Sequence, residues 1–225
     1  MAHARNVQLI TESTRKDDRL DARTLARLAR IDLEWLGPVR HRSAQAQIHL
    51  TAIRARATLV SARTALVNAA RGLTKSYGER LRKCGTEQMN REIAKELSPE
   101  LRDTLAPLLK EIESLNDRID EYDRRIEQIA TEVHPEVALL KQVKGVGTRI
   151  ALTYILTLDD PYRFRRSRDA GCFLGLRPGR RNSGMREPQM HISKEGDTYL
   201  RTLMVQGAHY ISGPLDRTVI CGAGD

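Results

Sequence analysis

Ten apolar residues between Leu101 and Val133 follow one another at spacings of four and three without a break: Leu101, Leu105, Leu108, Ile112, Leu115, Ile119, Tyr122, Ile126, Ile129 and Val133. Seven residues make close to two turns of α-helix, so this spacing keeps every member on one stripe, and a strand would scatter them over both faces. The predicted helix runs for about 50 Å at 1.5 Å per residue. A helix that long draws its stability from a partner packed along the stripe rather than from propensity. Pro107 falls in its first turns, where it is expected to kink the helix or delay its start.

A partner precedes it. Ile48, Ala52, Ala55, Leu59, Ala62, Leu66, Ala69 and Leu73 repeat the same spacing, and alternating Ala and Leu permits close approach of a bulky neighbour. Charge divides the two segments: Arg40 to Lys83 holds ten Lys/Arg against one acidic residue, and Ser98 to His134 holds five basic against ten acidic. With a linker from about Cys84 to Leu97, the two are expected to fold back as an antiparallel coiled-coil hairpin with basic and acidic flanks facing each other. Self-association through the same seams is equally compatible with the pattern. The basic helix reads either as a nucleic-acid track or as the charge complement of its acidic partner.

The 225 residues carry a net charge of +9 and only 4% aromatics, which suits one or two helix-rich domains and an anionic polymer as partner. No run of about 18 apolar residues suggests a membrane span. Cys84, Cys172 and Cys221 are odd in number and widely spaced, so neither a disulfide framework nor a zinc site is indicated, and a reduced, cytoplasmic protein is expected.

Two shorter stretches add nucleic-acid signals. Val143-Lys144-Gly145-Val146-Gly147-Thr148-Arg149 lies between apolar helical patterns at Val137 to Val143 and Ile150 to Leu158, an arrangement that resembles a helix-hairpin-helix. There, Gly145 and Gly147 let the backbone approach a phosphate that the next helix's N–H groups receive, with Lys144 and Arg149 adding charge. A plain turn between packed helices is the alternative. Farther on, Gly175-Leu176-Arg177-Pro178, Asn182-Ser183-Gly184, Ile192-Ser193-Lys194-Glu195-Gly196 and Leu200-Arg201 fall within a stretch from Arg163 to Arg201 with ten basic and four acidic residues. Ser183 is a small hydroxyl on a tight turn, with Arg177, Arg180, Arg181, Arg186 and Lys194 as cationic neighbours able to offset phosphate charge. That combination suits attack on a phosphodiester, although Asn-Ser-Gly is also ordinary turn chemistry and the cations could be a solvated loop. Ser193 is expected to cap a helix from about Thr198 to Ile211, and His191 has no His or Cys at ligand spacing.

At the other end, Val7 to Ile10 reads as a short strand, and Arg15 to Ala22 leads into a helix through Leu28. Asp18 and Asp21, three apart, project from one face and are able to flank a divalent metal ion, or else serve the helix N-terminus as caps.

Taken in order, Lys16-Asp17-Asp18-Arg19-Leu20-Asp21-Ala22, the helical middle, Gly145-Val146-Gly147, Gly175-Leu176-Arg177-Pro178, Asn182-Ser183-Gly184, Ile192 to Gly196 and Leu200-Arg201 resemble the one-ten insertion-sequence family of transposases, relatives of the Piv/MooV DNA invertases. The resemblance runs from about Asn6 to Gly213. It implies a mainly α chain: the remnant of a RuvC-like α/β DEDD domain at 1–39, long antiparallel coiled-coil helices at 40–134, a helix-hairpin-helix with a small α+β serine-bearing domain at 135–214, and a divergent tail at 215–225. It implies that Ser183 is the nucleophile, that Asp18 and Asp21 are the last two acidic positions of a magnesium (Mg2+) site, and that the partners are DNA, a structured guide RNA and further copies of the chain. Because the first Asp and the Glu of that set fall before residue 1, and the tail lacks the family's basic helical ending, the expectation is a truncated transposase, inactive by itself. The competing expectation is a non-catalytic coiled-coil protein that binds nucleic acid.

Overall fold

In the computed structural model, which describes residues 17–31, 41–179 and 188–212, the chain divides into two units, residues 1–43 and 44–225. The first contains α1 (Asp18–Ile31), which runs three residues beyond the expected end at Leu28. Asp17 opens it, its side chain accepting the Arg19 N–H at 2.9 Å and its carbonyl accepting from Leu20 and Asp21. Val7 to Ile10 lie outside the described residues.

The second unit is built on α2 (Ala44–Ser76) and α3 (Pro99–Glu132). They are antiparallel: Arg56 reaches Asp123 through two bonds of 2.9 Å, and Arg63, one heptad on, reaches Asn116, one heptad back, at 2.8 Å. Of the expected meeting of basic and acidic flanks, the pair Arg56–Asp123 is present; Arg63 meets a neutral amide.

On α3 the seam follows the sequence pattern, with Leu101, Leu105, Ile112, Ile119 and Ile126 buried. Beside Pro107 the fully buried residue is Leu109, with Leu108 only packed against the core edge. The helix passes through Pro107, having started at Pro99 in the first turn, where a missing N–H costs nothing.

On α2 the expected seam is wrong in register. Of that seam Ala52 is buried, but Ile48 is 62% and Leu73 is 55% exposed, and Ala46, Leu50, Ile53, Arg63, Val67, Ala70 and Thr74 are buried beside it. The buried face keeps four-three spacing over 46–53 and again over 63–74, with a step of ten residues between that breaks the heptad, and polar residues occupy part of it. Arg63 finds Asn116 there, and the Thr74 hydroxyl donates back to the Ala70 carbonyl. A stripe chosen on apolarity alone falls beside the true one.

Two cores close the ends of this pair. At one, Val67, Leu105, Leu109 and Ile112 enclose Met89, Ile93, Ala94 and Leu97, so the expected linker is a plug. Its single 3-10 helix (Arg91–Glu96) is capped by Asn90, and Arg91 pairs with Glu113 at 2.8 Å. Burying side chains such as Met89 and Ile93 stabilises by about 1.5–3 kcal/mol each. At the other end, Leu50, Ile53, Ile126 and Ala130 pack on Val137, Ala151, Leu152 and Leu156. That second core holds α4 (Val137–Leu140) and α5 (Thr148–Leu158) on the hairpin, with Tyr199 of α7 (Thr198–Ser212) packed at its edge; α6 (Ser167–Phe173) lies between α5 and α7 in the chain. Among the described residues this part holds one antiparallel bridge, Pro178 to Ile192, and no longer strand, so the small α+β domain expected there is helical with a single bridge. No helix among the described residues is long and apolar enough to cross a membrane.

Candidate functional site

After α6 the chain turns at Gly175 and meets itself again twelve to nineteen residues later. The Ser193 N–H donates to the Arg177 carbonyl at 2.8 Å, the Gly179 N–H to the His191 carbonyl at 2.9 Å, and the Lys194 N–H to the Gly175 carbonyl at 3.1 Å. Residues 175–179 and 191–194 are thus paired antiparallel legs, joined in sequence through the segment that contains Ser183. Ser183, Arg180, Arg181 and Arg186 lie outside the described residues; Arg177 and Lys194, on the legs, are exposed. Lys194 has φ 56°, a left-handed conformation that a side chain rarely adopts without compensation from its surroundings.

The compensation is visible at the base of the legs. A Cβ on Gly175 would lie 2.0 Å from the Glu195 carbonyl oxygen, and one on Gly196 would lie 2.0 Å from the Phe173 carbonyl oxygen, so both positions require glycine for close backbone approach. Between them, the Arg201 guanidinium, on a residue 8% exposed, donates to the carbonyls of Leu174 at 2.9 Å and Glu195 at 2.8 Å. A planar fork with several donors suits two carbonyls converging from different segments. The sequence motifs contain Arg201 but assign it no task; its position beside the buried Leu200, Leu203 and Gly207 of α7 is the signal that points to one. Asp197, not Ser193, caps α7: its carboxylate accepts the Leu200 N–H at 2.9 Å and pairs with Arg54 of α2 at 2.8 Å. Ser193 instead receives the Glu195 N–H at 3.4 Å. Arg163 lies over the rings of Phe164 and Phe173, ordering the approach to α6.

The glycine turn before α5 has two different glycines. Gly145 has φ 83°, and a Cβ there would come within 2.7 Å of Ile211 Cγ1 and 2.9 Å of the Gly207 carbonyl oxygen. Its smallness serves contact with α7. Gly147 opens α5, and a Cβ there would meet open space. The preceding helix is one turn, ending at Leu140 rather than Val143. Lys144 is exposed and Arg149 half-buried. The start of α5 faces α3 across a cleft of about 470 Å³ lined by Arg56, Asp123, Glu127, Thr148 and Arg149. There the Thr148 hydroxyl donates to Glu127 at 3.3 Å, placing a carboxylate of the same chain near the N-terminal turn that the sequence pattern reserved for a phosphate.

Asp18 is exposed and Asp21 half-buried in the first turn of α1. Capping falls to Asp17, which leaves these two carboxylates available. Among the described residues no cluster of three or more His, Cys, Asp or Glu could hold a metal ion. Elsewhere His49 Nδ1 and His134 Nε2 meet at 3.1 Å, and burial, His134 and Arg125 together lower the His49 pKa from its ordinary 6.5.

Residues 137–218, from the start of α4 to just beyond α7, match the transposase IS116/IS110/IS902 family. The chain is 30% identical over 201 residues to a "Transposase for insertion sequence element IS1111A" from Coxiella burnetii, covering 86% of this chain and 54% of that protein. It is 32% identical over 203 residues to a "Probable family 20 transposase" from Pseudomonas aeruginosa, covering 87% and 59% respectively. A "Putative transposase y4pF/y4sB" from Sinorhizobium fredii is 30% identical over 200 residues. The chain spans between half and three-fifths of the length of these curated relatives.

Proposed function

The chain belongs to the IS116/IS110/IS902 transposase family, and from that premise we propose that it takes part in moving an insertion sequence, with Ser183 as the nucleophile that breaks and rejoins DNA. The observation that carries this reading is the clamped base of the paired legs. Gly175, Gly196 and Arg201 hold together the two ends of the one segment that combines a small hydroxyl with Arg180, Arg181 and Arg186. Such a base restricts where the segment between can reach, and preorganised cations near a scissile phosphate lower the cost of charge developing on its oxygens.

The step is an in-line displacement. Ser183 Oγ forms a bond to phosphorus as one strand P–O bond breaks; the serine proton passes to solvent and the departing strand oxygen takes one up. Attack of a second strand's hydroxyl on the phosphoserine reverses the process and frees the serine. Arg177 and Lys194 on the legs and Lys144 and Arg149 at the α5 turn contribute phosphate contacts that position the duplex without reading its bases. Gly145 and Gly147 shape that turn.

Magnesium keeps several of its waters and takes one or two carboxylates beside substrate phosphates, so a pair of carboxylates suits it better than an ion that needs four protein ligands. Asp18 and Asp21 would hold it, and it would supply positive charge to a strand phosphate. A structured guide RNA and a second copy of the chain, associating through the long helices, complete the proposed assembly. A purely non-catalytic nucleic-acid-binding role is the weaker reading, because each of the matched relatives carries transposase in its name.

Ser183→Ala and Asp18→Asn test the assignment. With the part of a relative outside the match supplied in trans, recombination by the unmodified chain is expected to vanish in both variants, while salt-sensitive binding of DNA persists. Loss of binding together with recombination in both variants removes Ser183 and Asp18 from the chemistry.

A further inference from the structure

Helix α1 presents Arg19, Arg23, Arg27 and Arg30, all four exposed. At 3.6 residues per turn they fall within an arc of about 80°. Leu25, Leu28 and Thr24, on the other side, are half-buried, and Asp18 and Asp21 lie outside the basic arc. The stripe is not balanced by acidic neighbours: among the described residues none of the four guanidiniums has a carboxylate partner. Like charges three and four residues apart oppose helix formation in isolation, so a face built this way is stabilised when a polyanion covers it. Every member is Arg, whose fork engages phosphate oxygens in pairs.

Length supplies the second argument. From Arg19 to Arg30 the helix advances about 16 Å at 1.5 Å per residue. One strand of duplex DNA presents a phosphate about every 3.4 Å of axis while winding once in about 34 Å, so a straight helix of this length reaches only some of roughly five phosphates. Four charges are enough to meet those within reach.

We propose that the Arg19, Arg23, Arg27 and Arg30 face of α1 is a docking surface for the phosphate backbone of duplex DNA. This rests on the DNA-acting reading above and adds to it a surface separate from the Ser183 legs. The contacts are to backbone, so the surface orients and retains the duplex without choosing its sequence.

The test is fluorescence anisotropy of the full chain with a labelled random-sequence DNA duplex, titrated between about 50 and 200 mM salt. Arg19→Gln, Arg23→Gln and Arg27→Gln together keep good helix formers, and far-UV circular dichroism checks that helix content is unchanged. The plot of log affinity against log salt is expected to flatten by about 3, at about 0.9 for each phosphate that is no longer neutralised. Replacing the same three by Lys is expected to retain most of the slope. Lys110→Gln, Arg118→Gln and Arg124→Gln on α3, an equal loss of charge elsewhere, are expected to leave the slope near that of the unmodified chain. An unchanged slope in the α1 variant, an equal loss in the α3 variant, or a loss confined to an RNA duplex each overturns the proposal and leaves the Ser183 reading intact. Absence of any salt-dependent DNA binding by the unmodified chain overturns both.

Discussion

Replacing Arg201 by Met removes the guanidinium while keeping an unbranched apolar stem in α7. Two carbonyls, those of Leu174 and Glu195, then go without a charge-assisted donor at 2.9 and 2.8 Å, and the Thr198 hydroxyl goes without one at 3.3 Å. Hydrogen bonds to a charged group contribute about 1.5–3 kcal/mol each, and a buried acceptor left without a donor costs about 1–3 kcal/mol. Two such losses, offset in part by removing a charge from a site 8% exposed, leave a net cost of about 3 kcal/mol. Because Arg201 fastens the base of the legs rather than the helical hairpin, the cost is expected to be local. Amide hydrogen exchange at Ser193 and Gly179, which bond across the legs, is expected to accelerate by about a hundredfold, since each 1.4 kcal/mol is a factor of about ten. Amides in the middle of α2 and α3 are expected to change far less. Arg201→Lys, with one point charge in place of a fork, is expected to recover only part of the protection. Exchange at Ser193 and Gly179 within about threefold of the parent would refute the clamp.

Gly145→Ala places a methyl 2.7 Å from Ile211 Cγ1 at φ 83°, and a loss of about 2–4 kcal/mol is expected by urea denaturation, against less than about 1 kcal/mol for Gly147→Ala, which meets open space. Arg63 is buried, with its Nε lacking a partner, so Arg63→Leu together with Asn116→Leu is expected to raise the urea midpoint, by about 1–4 kcal/mol in stability; a drop contradicts the reasoning that burying this polar pair costs more than it returns. The lowered His49 pKa means the folded chain binds fewer protons than the unfolded chain just below pH 6.5. Stability is therefore retained above 6.5 and lost as pH falls through the lowered value, and His49→Gln is expected to flatten that decline in denaturation curves taken at successive pH values.

The helical hairpin is legible in the sequence because spacing and charge segregation agree. Its register is not, because on α2 the buried stripe lies one or two residues from the apolar one and breaks the heptad between Ile53 and Arg63. The one that faces α3 includes Arg56, Arg63 and Thr74, whose polar heads find Asp123, Asn116 and the Ala70 carbonyl. Hydrophobicity ranks that stripe second; only the partner helix reverses the order. The plug around Met89 and Ile93 is hidden for a related reason, since a short 3-10 helix has no period long enough to read. At the candidate site, Gly175, Gly196 and Leu200-Arg201 stand out as an ordered set of motifs, yet their shared task depends on approaches between residues up to 27 apart. Residue type does not separate Ser193 from Asp197 as the cap of α7, since Ser and Asp cap equally well; Asp197 directly precedes the helix and needs no intervening glycine. Ser183 itself is read from residue type and neighbours, and those neighbours include Arg180, Arg181 and Arg186, which share its place outside the described residues.

The central claim is that Ser183 becomes covalently joined to DNA, and trapping that link tests it most directly. Because the chain spans 54% of the Coxiella burnetii relative, the part of that relative outside the match would be supplied in trans, with magnesium and a labelled duplex carrying element ends. Denaturing electrophoresis, proteolysis and mass spectrometry are expected to find a nucleotide phosphate on the peptide containing Ser183, absent from Ser183→Ala. Strand cleavage with no adduct, or an adduct that maps to another residue and survives Ser183→Ala, contradicts the account.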